Sequence, residues 1–256
     1  MVEETRSLLY FEGVKQPIAF INCNELHPLL KSIFRDSQIE LVSSDSSEDT
    51  SITIERTAKG YKRSSSWLEK PAVFKDPVDA VCDFTVDLIH AFVGDHQGYL
   101  CLHSAAALFN EGLFLFPSTY RSGKSTLSLH LAFNKVPLFT DDALPVVAET
   151  NEGMATGLFP RLRLPLPESV TPGFRNYVRQ RIVLRNDRYC YVSLDGNEQP
   201  QLGTLAPIRG IVLLDLCMDN KETVLTEAGR KEVIKEMILR NFARQNKALE
   251  IVERIY

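Results

Sequence analysis

The sequence has no excess of basic charge. Its 29 lysines and arginines are outnumbered by 33 acidic residues, so the formal net charge of the 256 residues is −4. Proteins that bind the nucleic-acid backbone usually carry a basic stripe, so we expect no nucleic-acid partner. Arginines are dense only between Arg161 and Arg188. Such density is typical of a solvated, basic-leaning surface, or it marks a local site for an anionic substrate.

Cysteine and histidine are few, and neither shows a metal-binding spacing. No two cysteines form a C-x-x-C pair, and the five histidines lack ligand spacing. The five cysteines are Cys23, Cys82, Cys101, Cys190 and Cys217. An odd, scattered set predicts buried thiols in a reducing compartment, not a disulfide framework or a zinc site.

Long apolar runs are also missing. No stretch approaches the roughly 20 apolar residues that cross a bilayer. The first residues, MVEETRSLLYFEG, have no basic region followed by an apolar one, so we expect no signal peptide. The sequence therefore predicts a soluble cytoplasmic protein with no membrane partner. Its composition, 44% hydrophobic and 24% charged, is ordinary for a globular protein.

The chain is expected to divide near residue 70. Residues 1–70 predict a small α+β region, and residues 71–256 predict a larger α/β nucleotide-binding domain. In the small region we predict strands at 17–22 and 51–55, a helix at 27–34 and polar loops at 43–50 and 59–66. The larger domain opens with a helix, because Asp76 is a natural N-cap and Pro77 suits the first helical position. Gly94 is placed to end that helix.

Beyond that helix the pattern changes to strands. We predict strands at 99–109 and 113–116, joined by a hairpin turn at 110–112, then a helix at 124–134 and a strand at 136–140. Further strands are predicted at 143–149, 154–159, 189–194 and 208–216. A closing helix is predicted from Thr226, with one apolar face formed by Val233, Ile234, Met237, Ile238 and Phe242.

Residues 118–125, STYRSGKS, match the phosphate-loop pattern G-x-x-x-x-G-K-S/T at its last three positions. Ser118 replaces the first glycine, but an apolar strand precedes the loop and a helix follows it, as the pattern requires. Loop amides and the positive end of the helix would face the phosphates of a nucleoside triphosphate. The alternative is a chance match on a strand-to-helix loop. The predicted nucleotide-binding residues are Ser118, Thr119, Tyr120, Arg121, Ser122, Gly123, Lys124, Ser125 and Thr126.

Several side chains are candidates for the chemistry of phosphoryl transfer. Lys124 would neutralise the β- and γ-phosphates, and the Ser125 hydroxyl would bind Mg²⁺. Of Asp141 and Asp142, which end a predicted strand, one carboxylate could hold Mg²⁺ and the other accept the proton of an attacking hydroxyl. The alternative for the pair is a solvated turn.

The roles of His103 and of the pair Arg161 and Arg163 each allow two interpretations. His103 lies in an apolar strand, where the residues alone favour a core position. Arg161 and Arg163 share one side of an extended segment. They could clamp an anionic group or line a polar edge strand, and the pattern favours neither.

Residues 102–147, from Leu-His-Ser-Ala-Ala-Ala through the phosphate loop to Asp141-Asp142, resemble the nucleotide-binding core of the HPr serine kinase/phosphorylase superfamily. They are most similar to HPr-kinase-related proteins found beside bacterial peptide-modification gene clusters. The likeness extends over about residues 70–216. It implies a mixed sheet with helices akin to phosphoenolpyruvate carboxykinase, and a kinase that uses ATP and Mg²⁺. The acceptor would be a hydroxyl of a protein, peptide or small molecule.

The resemblance also implies roles for individual residues. Lys124 becomes a phosphate contact, Asp141 the base or a phosphate-facing acid, and Asp142 the metal partner together with Ser125. His103 becomes a candidate active-site residue, and Arg161 keeps the position of a family arginine. The family forms hexamers, which implies a homo-oligomer, although no residue of this sequence requires one.

Three positions depart from the family pattern. Ser118 and Arg121 replace glycines of the loop, and Phe159 stands where these kinases carry a metal-binding glutamate. The last difference argues against HPr itself as the acceptor. Together the departures favour a second hypothesis, a nucleotide-binding regulatory module that no longer transfers phosphate. A third is a plain NTPase that uses water as the nucleophile.

Overall fold

The computed structural model describes residues 5–44, 48–96, 98–117, 122–215 and 223–240. The strands are β1 (Arg6–Phe11), β2 (Ile18–Ile21), β3 (Ile39–Ser43), β4 (Ile52–Thr57), β5 (Gly60–Ser65), β6 (Ala72–Phe74), β7 (Tyr99–Leu102), β8 (Ser104–Phe109), β9 (Gly112–Pro117), β10 (Leu138–Thr140), β11 (Leu144–Val147), β12 (Glu152–Met154), β13 (Arg161–Arg163), β14 (Ile182–Arg185), β15 (Tyr189–Val192) and β16 (Leu205–Ile211). The helices are α1 (Leu26–Ser32), α2 (Pro77–Asp95), α3 (Lys124–Phe133), α4 (Pro172–Gln180) and α5 (Arg230–Leu239). The fold is mixed α/β, as the sequence predicts.

The first six strands form one sheet in the order β3-β1-β2-β4-β5-β6. Its pairs are antiparallel except β2 with β4. Buried residues of these strands, including Leu9, Phe20 and Ile54, belong to one apolar cluster with residues of α1 and α2. Strands β2 and β4 and helix α1 confirm the predictions for this region, while β1, β3 and β6 were not predicted.

The predicted polar loop at 59–66 is wrong, because Gly60–Ser65 forms strand β5. Gly60 has φ of +120°, which permits the tight reversal after β4. Tyr61 and Arg63 are buried, although the segment is polar in composition. The strand was hidden because one of its inward positions is an arginine, whose charge is compensated by carboxylates on α2.

Helix α2 begins as predicted. The Asp76 side chain accepts a hydrogen bond from the Asp79 backbone N–H at 3.0 Å, and Pro77 follows it. The helix continues through Gly94 to Asp95, so the predicted end at Gly94 is one residue early. Gly94 does not adopt the left-handed conformation that ends many helices.

Helix α2 also carries a stripe of acidic residues that joins two parts of the fold. Spacings of three and four residues place these side chains on one helix face. They are Asp76, Asp79, Asp83 and Asp87. The first two accept hydrogen bonds from Asn186, and the last two form ion pairs with Arg63 on β5. The stripe therefore connects the first sheet to the turn between β14 and β15.

Seven strands form the second sheet, in the order β10-β8-β9-β16-β12-β11-β7. Pairing is parallel between β9 and β16 and antiparallel elsewhere. Strands near opposite ends of this order follow each other directly in the chain. Only His103 separates β7 from β8, and only residues 141–143 separate β10 from β11. The sheet therefore curls back on itself at these two breaks. The single strand predicted over 99–109 is interrupted at His103.

The hairpin turn at 110–112 is confirmed. Asn110 and Glu111 have φ of 46° and 66°, the positive values that a two-residue turn between twisted strands requires.

The strands predicted near β10, β11, β15 and β16 and the helix at α3 are present with shifted ends. The strand predicted at 154–159 is wrong, because β12 ends at Met154 and Gly157 adopts a left-handed φ of 66°.

The closing helix, α5, begins at Arg230 and not at Thr226. Met237 is buried, and Val233 and Ile238 pack with it against the second sheet. Phe242, predicted on the same face, lies outside the described residues. No helix in the described ranges is long and apolar enough to cross a membrane.

The remaining strands form a three-stranded antiparallel sheet, β13-β15-β14. Its inner face packs into the same apolar cluster as the first sheet and α2. One apolar cluster thus extends across the predicted boundary at residue 70, and the division into two domains stays a prediction.

Candidate functional site

The start of α3 follows the phosphate-loop pattern where the structure describes it. Strand β9 ends at Pro117, and Gly123 caps the helix with φ of 82° and ψ of 3°. Glycine adopts this left-handed conformation without the steric penalty that other residues incur. Ser122 is buried, and Ser125 and Thr126 are half-buried in the first turn. Ser118, Thr119, Tyr120 and Arg121 lie outside the described residues.

The Lys124 side chain is directed inward from this first turn. It is 8% exposed, and its Nζ lies 3.0 Å from His103 Nε2 and 3.6 Å from Asp142 Oδ1. Burial lowers the pKa of Lys124, whereas the negative charge of Asp142 opposes that shift. The ammonium is therefore held in place by a nitrogen and a carboxylate that come from the two breaks of the second sheet.

His103 connects Lys124 to Asp142. Its Nδ1 lies 3.2 Å from Asp142 Oδ1, opposite the Nε2 that faces Lys124. Burial lowers the pKa of His103 although Asp142 opposes that shift, so the imidazole is neutral at neutral pH. An ammonium only donates hydrogen bonds, so Nε2 accepts, and the ring proton is on Nδ1, the nitrogen nearer to Asp142. The half-buried His103 is thus part of a polar chain, and not a core residue as the residues alone favoured.

A threonine orients the two aspartates. The Thr140 hydroxyl accepts hydrogen bonds from the backbone N–H groups of Asp142 at 3.3 Å and Ala143 at 3.2 Å. This local turn directs the two neighbouring carboxylates into different surroundings. Thr140 was not singled out in the sequence, although a threonine just before an Asp-Asp pair at a strand end is the signal for such a turn.

The two carboxylates differ in burial and in partners. Asp141 is buried and accepts a hydrogen bond from the Arg161 backbone N–H at 3.1 Å. Burial, followed by the charge of Asp142, raises the pKa of Asp141 to about 6. The Asp142 side chain is 30% exposed, and its Oδ2 lies 3.7 Å from Arg161 Nη2. Asp142 is therefore surrounded by Lys124, His103 and Arg161.

The predicted period of two in residues 161–163 is present in β13. Leu162 is buried, and Arg161 and Arg163 lie on the opposite face of the strand. Arg161 is directed to Asp142, and Arg163 is exposed. Strand β13 is also an edge strand of its sheet, which agrees with the polar edge strand, and the clamp for an anionic group stays a prediction.

A pocket of about 380 Å³, including its open mouth, lies beside Asp141 and Asp142. Helix α2 forms one wall and the segment before β13 forms another. Its lining residues are Thr85, Val86, Ile89, Asp141, Asp142, Ala143, Leu158, Phe159, Arg161 and Tyr191. The pocket is mostly apolar, with charged groups only at the Asp141, Asp142 and Arg161 side.

Two residues at the site have no signal in the sequence. The backbone carbonyl of Arg240, just after α5, accepts a hydrogen bond from the His103 N–H at 2.7 Å. Tyr191 is buried opposite Arg161 in the β13–β15 register and lines the pocket. Both contacts join distant parts of the chain, which explains why local patterns did not indicate them.

The donor atoms suit Mg²⁺ better than a transition metal. Within the described ranges, no three His, Cys, Asp or Glu residues are grouped so that they could hold a metal ion. Mg²⁺ requires only one or two carboxylates when phosphate oxygens and water complete its coordination. The partly exposed Asp142 carboxylate and the Ser125 hydroxyl are oxygen donors of this kind. Phe159, which the resemblance aligns with a metal-binding glutamate, is buried and supplies no ligand.

No protein-family model matches the chain, and no curated protein matches it. The resemblance to the HPr kinase superfamily therefore stays a prediction that depends on the residues themselves.

Proposed function

We propose that the protein is an ATP- and Mg²⁺-dependent kinase that transfers a phosphoryl group to a hydroxyl of a protein, peptide or small molecule. One observation carries the proposal. The ammonium of Lys124, in the first turn of a helix that a left-handed glycine begins, lies 3.6 Å from Asp142 Oδ1. A cation, a helix N-terminus and a carboxylate are the groups that phosphoryl transfer needs in one place.

The first turn of α3 would hold the polyphosphate. Its backbone N–H groups carry partial positive charge, and Lys124 adds a full charge against the β- and γ-phosphates. Asp142 and Ser125 would hold Mg²⁺ beside them. When bound, ATP supplies the phosphoryl group and Mg²⁺ neutralises charge on the phosphate oxygens. His103 positions Lys124 and Asp142 relative to each other through its two ring nitrogens.

Asp141 is suited to accept the proton of the attacking hydroxyl. A general base works best when its pKa is near the operating pH, and burial raises the pKa of Asp141 to about 6. Asp141 also lines the pocket, where an acceptor hydroxyl could approach it. The Arg161 side chain, 3.7 Å from Asp142, would stabilise negative charge that develops on the transferring group.

The fold and setting that we propose follow from the same residues. The order β9, loop, α3, β10 and aspartate pair is what a phosphoenolpyruvate carboxykinase-like core of the HPr kinase superfamily would need. A cytoplasmic location accords with a site that uses ATP and with the buried, free thiols Cys23, Cys82, Cys101 and Cys190.

The test is turnover with Mg-ATP in a panel of hydroxyl acceptors, for the wild type, Lys124→Ala and the control Lys59→Ala. Lys59 is exposed in the turn between β4 and β5, far along the chain from the site. We expect Lys124→Ala to lose at least about 100-fold in transfer rate, because a transition-state charge contact is removed, while Lys59→Ala is unchanged. Tight ATP binding by the wild type without transfer to any acceptor would contradict the proposal.

One observation favours a second candidate, a nucleotide-binding regulatory module without transfer. Asp142 is already compensated by Lys124 and Arg161, and Phe159 removes a second metal ligand. Asp141→Asn distinguishes the two functions. A pure binder keeps its ATP affinity and its partner, whereas a kinase keeps ATP affinity and loses rate. Phosphate release without any acceptor would instead indicate a plain NTPase.

A further inference from the structure

Three guanidinium groups surround the ring of Tyr189. The Cζ atoms of Arg161, Arg188 and Arg163 lie 5.2, 5.6 and 5.8 Å from the ring centroid. We call these four residues the Tyr189 cluster. An aromatic face attracts cations, but three like charges around one ring repel one another. Such an arrangement is most stable when anions are close.

Two of these arginines contact carboxylates of the described residues, and the third, Arg163, is exposed. Arg161 shares Asp142 with Lys124 and His103, and Arg188 pairs with Asp79 on α2. The charge of Arg161 also acts on another α2 carboxylate, Asp83, which lies 2.7 Å from Arg63.

The surroundings of the cluster are basic as well. The segment 161–188 contains seven arginines and only two acidic residues, Glu168 and Asp187. Arg163 and Arg188 are exposed. The three-stranded sheet therefore presents a basic surface on a chain whose net charge is −4.

The cluster lies on a different side of the site from Lys124. Lys124 approaches Oδ1 of Asp142, whereas Arg161 approaches Oδ2 of the same carboxylate. If the polyphosphate occupies the Oδ1 side, the acceptor enters from the Oδ2 side. On that side Arg161 lines the pocket. Arg163, which lies at the same Tyr189 ring, is on the exposed surface.

We propose that the Tyr189 cluster binds the acceptor, and that the acceptor is an acidic polypeptide segment whose hydroxyl is flanked by carboxylate side chains. This inference rests on the proposed function and names the substrate class of the same site. Guanidinium groups bind carboxylates with paired, directional hydrogen bonds, and Tyr189 holds the three arginines in a fixed arrangement. A basic surface of this kind also attracts an acidic partner from solution.

Peptide binding is measured separately from catalysis. The probes are two fluorescein-labelled peptides, each with one serine, flanked by glutamates in one and by lysines in the other. Anisotropy titrations at low and moderate salt compare the wild type with Arg163→Glu, Arg163→Gln and Arg188→Gln. Arg179→Glu is the matched control, because Arg179 is an exposed arginine of α4 outside the cluster.

We expect the wild type to bind the glutamate peptide at least about tenfold more tightly than the lysine peptide, and less tightly as salt rises. Arg163→Glu should weaken that binding about tenfold, with smaller losses for the two glutamine variants. Arg179→Glu should change it less than about twofold. Thermal melts establish that each variant is folded, and Arg163→Gln provides the test if Arg163→Glu is not.

Equal affinity for the two peptides, or an equal loss in Arg179→Glu, would overturn the proposal. Lys124→Ala separates it from the proposed function, because that variant should lose transfer and still bind the glutamate peptide. Binding of that peptide by a wild type that transfers no phosphate counts against the kinase and leaves the docking surface standing. Transfer to hydroxyl acceptors without any preference for acidic peptides counts against the docking surface alone.

Discussion

His103 and Asp142 occupy facing breaks in two neighbouring antiparallel strands, and Nδ1 of the first lies 3.2 Å from Oδ1 of the second. On either side of these breaks the partners are Leu102 with Leu144 and Ala106 with Thr140. Residues at the breaks are released from the strand ladder, so their side chains can turn toward α3. The break in each strand is therefore what brings an imidazole and a carboxylate to Lys124.

Removing the imidazole should impair catalysis more than nucleotide binding. In His103→Ala, Lys124 and Asp142 lose the group that spaces them, so we expect kcat to fall about 10- to 100-fold. The ATP dissociation constant should change much less. His103→Gln, which retains a donor and an acceptor, should recover part of the rate in the same assay. A variant whose ATP affinity falls as much as its rate would indicate that His103 mainly maintains the phosphate-binding turn.

Asp141→Asn should stabilise the protein at high pH and not at low pH. Burial raises the pKa of Asp141 from 3.8 in the reference state to about 6, so the folded state binds this proton more tightly than the unfolded chain. The wild type therefore loses stability as the pH rises through 6. The penalty is absent below about pH 4 and reaches about 2–3 kcal/mol above pH 6.

Thermal unfolding of Asp141→Asn at pH 4.5 and pH 8 measures this effect. The variant should exceed the wild type in Tm by several degrees at pH 8, and the difference should shrink at pH 4.5. Asp187→Asn, at an exposed position, is the control. A difference of equal size at both pH values would show that the buried charge is not its cause. Transfer activity should be lost in Asp141→Asn, because an amide does not accept the proton.

Gly123→Ala should reduce both stability and ATP binding. Gly123 has φ of 82°, where alanine is strained by about 1–2 kcal/mol, and the next residue is Lys124. Gly203, which has φ of 85° and open space where an alanine Cβ would lie, offers a matched control. Gly203→Ala should show a similar loss in chemical denaturation but unchanged ATP binding. Equal ATP affinity in the two variants would show that the left-handed turn at Gly123 is not required for phosphate binding.

The ion pairs of Arg63 should contribute unequally to stability. The Asp87 side chain is 2% exposed and also accepts a hydrogen bond from Trp67 Nε1 at 2.7 Å, whereas the Asp83 side chain is 35% exposed. Asp87→Ala removes the more buried carboxylate that Arg63 pairs with and the acceptor of the Trp67 indole N–H, so we expect a loss of about 3–5 kcal/mol. Asp83→Ala should lose about 1 kcal/mol. Urea denaturation measures both, and the reverse order would contradict this assignment.

Local signals predicted several structural features at and near the candidate site. Gly123-Lys124-Ser125 between a strand and a helix, the N-cap at Asp76 and the turn at Asn110 each depend on neighbouring residues, so the sequence indicates them directly. The position of Asp142 at the end of a strand was also predictable. What these patterns do not contain is the pairing of distant strands.

The missed features depend on such distant pairings. His103 looks like a core residue until β7 is seen at one end of the strand order and β8 beside β10, the strand at the other end. Strand β5 looks like a polar loop because the carboxylates that compensate Arg63 lie on α2, 20 or more residues later. Tyr189 gains its three arginines only when β13 and β15 pair and Arg188 folds over the turn.

The curled second sheet has a consequence for engineering the chain. A chain break at His103 or between Asp141 and Ala143 would disconnect strands from the two ends of the strand order. It would also move His103, Asp142 and Lys124 apart. The turn at Asn110–Glu111 is exposed and far from these groups, and exposed turns tolerate new termini. A circular permutant that begins there should keep its architecture and its ligand binding together, whereas one that begins at either break should lose both.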